Sequence, residues 1–401
     1  MTESASWVLG PIGMDAEHRV TQAGCRTVLV MVPTVAAGHR LLDLIGLLEG
    51  DHRVQVVFTV PATIERWQGP DEFVHAHHGM LLPWSQATQH TFDLVLSASH
   101  REISRVRGKL LLVPHGAGNV RSRRYSRKAG GATQPTTGLD RELLTYRGRV
   151  IPRMIALPHD SELAVLRRRC PEALPVATVT GDICLDRMLA SVPYRQRYRH
   201  VLGVGDDQTL VTVSSTWSRD STFGQQPDLY ARLLAELPPH RYRVAAVLHP
   251  HVSAVHGQWQ VRAWLADCIR SGLLVIPPDE GWQAAMVAAD HVLGDHGSTT
   301  MYAAALGRPV TLATFPDRAI RPGSLAHHLA RIATRLDHAQ PIQPQLTSTR
   351  PAPDVLTDLL TSRRGVAATL LRAGMYRLLN LPEPRTRPVA RPVPAAHALQ
   401  T

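Results

Sequence analysis

Short continuous apolar runs alternate with helix-patterned segments along this chain, and the series stops and then restarts. Thr27–Val32 is the first run; Pro33 and Thr34 lead into a helix pattern reaching Leu48, and Val54–Val60 follows at once. Strand, helix and strand in that spacing make a βαβ unit, which requires a parallel sheet. Phe92–Ala98, Leu110–Pro114, Met154–Leu157 and Val176–Thr180 add further strands, with a short helix expected over Glu102–Val106. The pattern begins again with strands at Leu210–Ser214, Arg243–Leu248, Leu273–Ile276, His291–Leu293 and Pro309–Thr314. Helices over Asp228–Leu237, Gln258–Ser271, Trp282–Ala289 and Thr299–Leu306 stand between them, and Leu325–Leu336 comes after. Strands that are apolar throughout are buried on both faces. The fold class is therefore α/β, with two Rossmann-like domains facing a cleft.

At 401 residues the chain also exceeds what one core usually holds. The expected order is a flexible leader at 1–24, one domain at 25–200, a hinge near Val192–Gly205 and a second domain at 201–365. A C-terminal helix at 366–381 and a Pro/Arg/Ala-rich disordered tail at 382–401 complete it.

The formal net charge is +11, and of the 44 basic residues only Lys109 and Lys128 are lysine. Arginine suits bidentate contacts to phosphate, although a GC-rich coding sequence produces the same bias. No helix-turn-helix, zinc-finger spacing or aromatic RNA-binding motif accompanies the charge, so nucleic acid is not an expected partner. No apolar run approaches the ~20 residues of a membrane span, and no charged n-region with an apolar h-region opens the chain. Cys25, Cys170, Cys184 and Cys268 form no CxxC pair and read as isolated thiols of a reducing compartment. The expected location is cytoplasmic, with membrane contact at most peripheral at the inner face.

Four segments carry candidate chemistry. Asp290–Pro309 runs from a short strand through Gly294, Asp295, His296 and Gly297 into an Ala-rich helix opened by Ser298, Thr299 and Thr300. Free N–H groups and the positive end of the helix dipole favour phosphate oxygens there, and the hydroxyls add donors. Asp295 is placed to order the loop or to contact a ligand hydroxyl. The same residues serve equally as an ordinary N-cap worth about 1 kcal/mol. His115, in Val113-Pro114-His115-Gly116, ends a buried strand, the edge where ligands bind in open α/β sheets, and histidine suits a general base. Downstream, Arg121, Arg123 and Arg124 begin a basic run to Lys128 that suits an anionic acceptor, or else forms a solvated face. His249-Pro250 ends another strand, and Ser215, Thr216 and Arg219 follow the first strand of the second series. His75–His78 and the trio His249, His251 and His256 lack metal-ligand spacing, His75–His78 lying in an expected loop, so no metal is expected. G-x-x-x-x-G-K-[ST], G-x-G-x-x-G after the first strand and G-x-S-x-G are all absent, which disfavours P-loop, dinucleotide and serine-hydrolase readings.

His115-Gly116, Thr180-Gly181-Asp182 with Leu185–Leu189, Ser215-Thr216-Trp217, His249-Pro250 and Gly294–Thr300 occur in one order. That order resembles the CDP-glycerol glycerophosphotransferase family of wall teichoic acid polymerases and its GT-B relatives, including the UDP-N-acetylglucosamine 2-epimerases. The resemblance spans Val113 to Pro309; it departs at Pro114, in Gly181–Asp186, and at Gly294, His296 and Gly297. It implies a GT-B-like architecture and metal-independent transfer of a glycosyl or glycerophosphoryl group from a CDP- or UDP-linked donor to a hydroxyl acceptor, polymeric or lipid-linked. No cofactor beyond that donor is implied. By the same resemblance His115 acts as base in an N-terminal acceptor-side domain and His249 assists the departing phosphate. The resemblance also makes Ser298 and Thr299 binders of donor phosphates; the chemistry of the residues themselves adds Ser215, Thr216, Arg219, Asp295, Gly297 and Thr300 as donor-binding candidates. A nucleotide-sugar 2-epimerase of the same fold and a non-catalytic binder of nucleotide or anionic polymer stand as the alternatives.

Overall fold

The first apolar run becomes a central strand because no side chain in its inner half needs water. In the computed structural model, which describes residues 7–13, 16–62, 67–117, 138–351 and 354–399, β1 (Arg26–Met31) is fully buried from Val28 to Met31. It pairs in parallel with β2 (Val54–Thr59) on one side and β4 (Thr91–Ser97) on the other. With β3 (Leu81–Leu82), β5 (Arg107–Leu112), β8 (Met154–Leu157) and β9 (Ala177–Val179) they form a seven-stranded parallel sheet ordered β3-β2-β1-β4-β5-β8-β9. A small hairpin, β6 (Thr145–Tyr146) with β7 (Arg149–Val150), is separate from it. The crossover helix Val35–Ile45 starts at Thr34, whose Oγ1 accepts the Ala37 N–H at 3.1 Å. It lies so close to the helix Pro70–Ala76 that a Cβ at Gly38 would stand 2.4 Å from the Phe73 ring.

The second series builds its own parallel sheet. β10 (Thr209–Ser215) lies between β11 (Tyr242–Leu248) and β13 (His291–Gly294). β12 (Leu274–Val275), β14 (Val310–Leu312) and β15 (Thr334–Arg335) extend it, giving the order β12-β11-β10-β13-β14-β15. Each sheet reverses its winding once, beside its first strand, and such reversals are where α/β sheets bind ligands. Among the described residues no helix is long and apolar enough to cross a membrane.

Two compact units hold these sheets, and the chain passes between them more than once. The first comprises the described residues up to His115, Gly138–Ile183 and Ser362–Ala390; the second comprises Gly116 and Ala117, Cys184–Thr361 and the residues from Arg391 on. The helix Ala367–Leu379, expected to stand apart, belongs to the first: Ala367, Leu371, Met375 and Tyr376 share a core with Val28, Leu94 and Leu111. The Tyr376 hydroxyl donates to Asp51 at 2.7 Å, and Lys109 Nζ donates to the Leu378 carbonyl at 2.6 Å. In the same unit Arg40 and Asp182, both buried, form a two-pronged ion pair at 3.1 and 3.2 Å.

Several expectations are corrected. The leader is not loose where it is described: Val8 exchanges two hydrogen bonds with the Gln86 side chain, and Ile12 is buried beside Leu82 and Trp84. Glu102–Val106 is a turn, because Glu102 adopts a φ of 57° that a helix excludes. His75 lies on a helix and not in a loop. The two-residue strands β3 and β15 carry too few residues to show a period. The tail is ordered over the described residues to Leu399. Val393 and Ala396 are buried in the second unit, Tyr198 Oη donates to the Val393 carbonyl at 2.6 Å, and the Leu399 N–H donates to Val275 at 2.8 Å. Composition suggested disorder, but a few apolar side chains at fixed places are enough to anchor an extended segment.

The segment expected as a hinge is likewise built in. Val192–Tyr194 is a helical turn and Arg195–Val201 a helix, with Tyr198, Leu202 and Val204 in the core of the second unit. Its arginines read as linker residues because their partner lies some ninety positions on: Arg195 pairs with Asp290, and Arg199 does so at 2.5 Å while also donating to the Gln208 carbonyl at 2.6 Å. Burial raises the Asp290 carboxyl, but the Leu210 N–H and the two guanidiniums outweigh it and hold it below the usual carboxylate range.

His291, next to it, is buried with Nε2 3.0 Å from Thr311 Oγ1. Burial, partly opposed by the Asp290 charge, lowers it from 6.5 to about 4. The native ring is neutral where the unfolded chain takes up a proton, so stability is complete above pH 6.5 and falls as the pH drops towards 4. The loss amounts to about 3 kcal/mol from this one ring. Urea unfolding at pH 7 and pH 4.5 should show that decline, and His291→Gln should flatten it.

Candidate functional site

The winding of the second sheet reverses between β10 and β13, so the chain leaves both strands at neighbouring carboxyl ends. Asp295, the residue after β13, has no exposed surface and gathers the loops that meet there. Its Oδ2 accepts the Thr216 N–H and hydroxyl, both at 2.8 Å, and the Thr222 N–H at 3.0 Å; its Oδ1 accepts the Gly297 N–H at 2.9 Å. Four donors on a buried carboxylate offset the cost of taking it out of water. Of the two roles open to Asp295 in the sequence, the geometry fits ordering the loop. Burial, and then the Asp295 charge, push the fully buried Tyr230 phenol far above its usual range.

The other residues of the segment divide by exposure. Thr300 is buried, packed so closely on the strand that a Cβ at Gly294 would stand 2.3 Å from its Oγ1. Only the expected contact of the Thr300 hydroxyl with a donor is corrected on that ground, since the hydroxyl faces protein; its backbone N–H remains in the first turn of the helix. Ser215 is corrected likewise, being buried with its hydroxyl accepting the Phe223 N–H at 2.9 Å and donating to the Thr216 carbonyl at 3.0 Å. Gly297 is also buried and must be glycine, since a Cβ would stand 2.5 Å from the Thr216 methyl. Ser298 and Thr299 are half-exposed in the first turn of the helix Ser298–Ala305. There the backbone N–H groups of Ser298, Thr299 and Thr300 have no acceptor within the helix. Ser298 Oγ accepts the Ala117 N–H at 3.1 Å, and a Cβ at Gly116 would stand 2.5 Å from it. Thr216 is half-buried, and Arg219 is exposed on the loop that follows.

His249 leaves β11 at the same edge of the sheet, half-buried, with its N–H donating to the Ser215 carbonyl at 2.9 Å. Trp217 and His251 flank it, with ring centroids 6.4 and 4.7 Å away. His115 is exposed just after β5, at the carboxyl edge of the first sheet. Arg121, Arg123 and Arg124 lie outside the described residues. Thr222 and His251 carry no site signal in the sequence: Thr222 acts through its backbone N–H, which any residue type has, and His251 stands out there only as one of a histidine trio without metal-ligand spacing.

No family model matches the chain, and no curated protein matches it in sequence. Solved structures do. A substituted variant of the wall teichoic acid polymerase TagF is 12% identical, with 91% of this chain and 90% of that one covered and a TM-score of 0.57. The same polymerase soaked with CDPG gives 11% identity, 88% of each chain and a TM-score of 0.58. MnaA of S. aureus, solved with UDP, gives 12% identity, 90% of this chain, 99% of that one and a TM-score of 0.50. Likeness at such identities establishes the fold, which is the GT-B type with two Rossmann-like units.

The Asp295 shell is directly testable. Asp295→Asn sets an amide NH2 among four donors, and should cost about 2 kcal/mol of stability. Denaturant unfolding measures it; an unchanged midpoint would show that the shell does not hold the loops.

Proposed function

We propose that this chain is a GT-B-type transferase that moves a glycosyl or glycerophosphoryl group from a CDP- or UDP-activated donor to a hydroxyl acceptor. What carries the reading is the first turn of Ser298–Ala305 at the carboxyl edge of the second sheet, beside its winding reversal. Three backbone N–H groups without helical acceptors, two half-exposed hydroxyls and the positive end of the dipole suit a diphosphate. His115, exposed at the carboxyl edge of the first sheet, is the base that takes the proton of the acceptor hydroxyl. TagF and MnaA, whose fold this is, are described with CDPG and UDP. In this reading the donor is the only small molecule required, the acceptor is polymeric or lipid-linked, and the protein works in the cytoplasm with peripheral membrane contact.

A nucleotide-sugar 2-epimerase is the second reading, favoured by the match to MnaA. The two differ in whether the nucleotide is released without an acceptor.

Thermal stabilisation by UDP, CDP, GDP and ADP screens the donor base, because a ligand of the native state raises the apparent midpoint. Replacing Ser298 and Thr299 together by Ala should weaken the best nucleotide about tenfold or more, near 1.4 kcal/mol by calorimetry. Undiminished affinity would remove the phosphate site. His115→Ala should lower kcat about a hundredfold or more with nucleotide affinity kept.

A further inference from the structure

The amino edge of the second sheet, opposite the Asp295 end, carries more positive charge than its one carboxylate can match. Asp290 stands just ahead of β13 and Arg308 just ahead of β14, and the Leu210 N–H near the start of β10 donates to Asp290 Oδ2 at 2.7 Å. The same carboxylate takes Arg199 on Oδ2 and Arg195 on Oδ1, so both of its oxygens are occupied. Arg308 joins the group without a share in them. Its Nε is buried and has no hydrogen-bond partner among the described residues, and the Nε of Arg195 is in the same condition. Burial, and then the charge of Arg195, lower the Arg308 guanidinium from its usual range, with the Asp290 charge partly opposing them. Native structures seldom leave buried N–H donors uncompensated. The group is not sealed from solvent: the Arg195 side chain is 26% exposed and that of Asp290 33%, while Arg199 is 5% exposed.

We propose that Arg195 and Arg308 bind a phosphate dianion, free or as a monoester, with Arg199 and Asp290 holding the two in place. Three guanidiniums and one carboxylate leave two positive charges unmatched, which a dianion cancels and a single carboxylate ligand does not. Guanidinium N–H groups meet phosphate oxygens in pairs, and the Nε of each arginine is a donor that such a fork uses. Asp290 alone would repel the ion, but its charge is already met by Arg199 at 2.5 Å. The site differs in kind from the turn at Ser298: it rests on side-chain charge at the amino edge of the sheet, not on helix N–H groups at the carboxyl edge. It stands independently of the transferase reading.

Calorimetric titration with inorganic phosphate at pH 8, where it is a dianion, against chloride of equal ionic strength reads the site. Wild type should bind phosphate saturably, and Arg308→Met and Arg195→Gln should each bind it about tenfold more weakly or worse. Replacing Ser298 and Thr299 together by Ala should leave this binding as it is in wild type. Loss in that double variant with affinity kept in Arg308→Met would move the ion to the helix turn and overturn the proposal, as would the absence of saturable binding to wild type. Phenyl phosphate separates the two sources: tighter binding than inorganic phosphate assigns an ester, and weaker binding the free ion. Thermal unfolding gives a second readout. In chloride Arg308→Met should unfold no earlier than wild type, because the charge it removes is unmatched, and about 5 mM phosphate should raise the midpoint of wild type but not of the variant. Concentrated phosphate strengthens burial in any protein, so the difference between the two chains is the measure. A variant that unfolds earlier in chloride would show that protein groups already satisfy Arg308, and the site would be withdrawn.

Discussion

Asp295 is a charge placed where water cannot reach it, and the carboxyl edge of the second sheet is arranged around that fact. Each group that solvates the carboxylate comes from a different stretch of chain: Thr216 from the end of β10, Thr222 six residues further, Gly297 from the turn into the helix. Satisfying one buried group therefore fixes three backbone segments at once. The N-terminus of Ser298–Ala305 is aimed by that arrangement and not by its own N-cap, since Gly297 has no side chain to supply one.

The same principle runs through the rest of the second unit and into the first. Asp290 gathers Arg195, Arg199 and the Leu210 backbone, and Arg40 with Asp182 joins the first crossover helix to the chain after β9. Pairs of this kind cost several kcal/mol when one partner is removed, yet add little over a well-packed apolar pair. Their effect is to specify geometry: a parallel sheet with apolar faces accepts many helix positions, and a buried carboxylate with matched donors accepts few.

The strands and crossover helices were legible because a run such as Val28–Met31 is apolar on both faces and the period then changes to that of a helix. Segments whose structure depends on distant partners were not. Arg199 reads as a linker residue until Asp290 is beside it, and Val393 reads as tail until Tyr198 takes its carbonyl. For the site, the sequence showed which turn opens a helix with small hydroxyl residues. It did not show that the Thr300 hydroxyl turns into the protein while Ser298 and Thr299 stay half-exposed, because helical phase at a first turn is set by what the helix packs on.

The described chain closes on a contact with a consequence of its own. β12 is the outermost strand of its sheet, and an outermost strand offers unpaired N–H and C=O groups to any extended chain that meets it. Leu399 occupies part of that row by bonding Val275, and its side chain joins the apolar layer of β11 and β12. Leu399 thus guards part of the sheet edge. A molecule clipped ahead of it would present that part of the outermost strand to any extended chain, including another copy of itself.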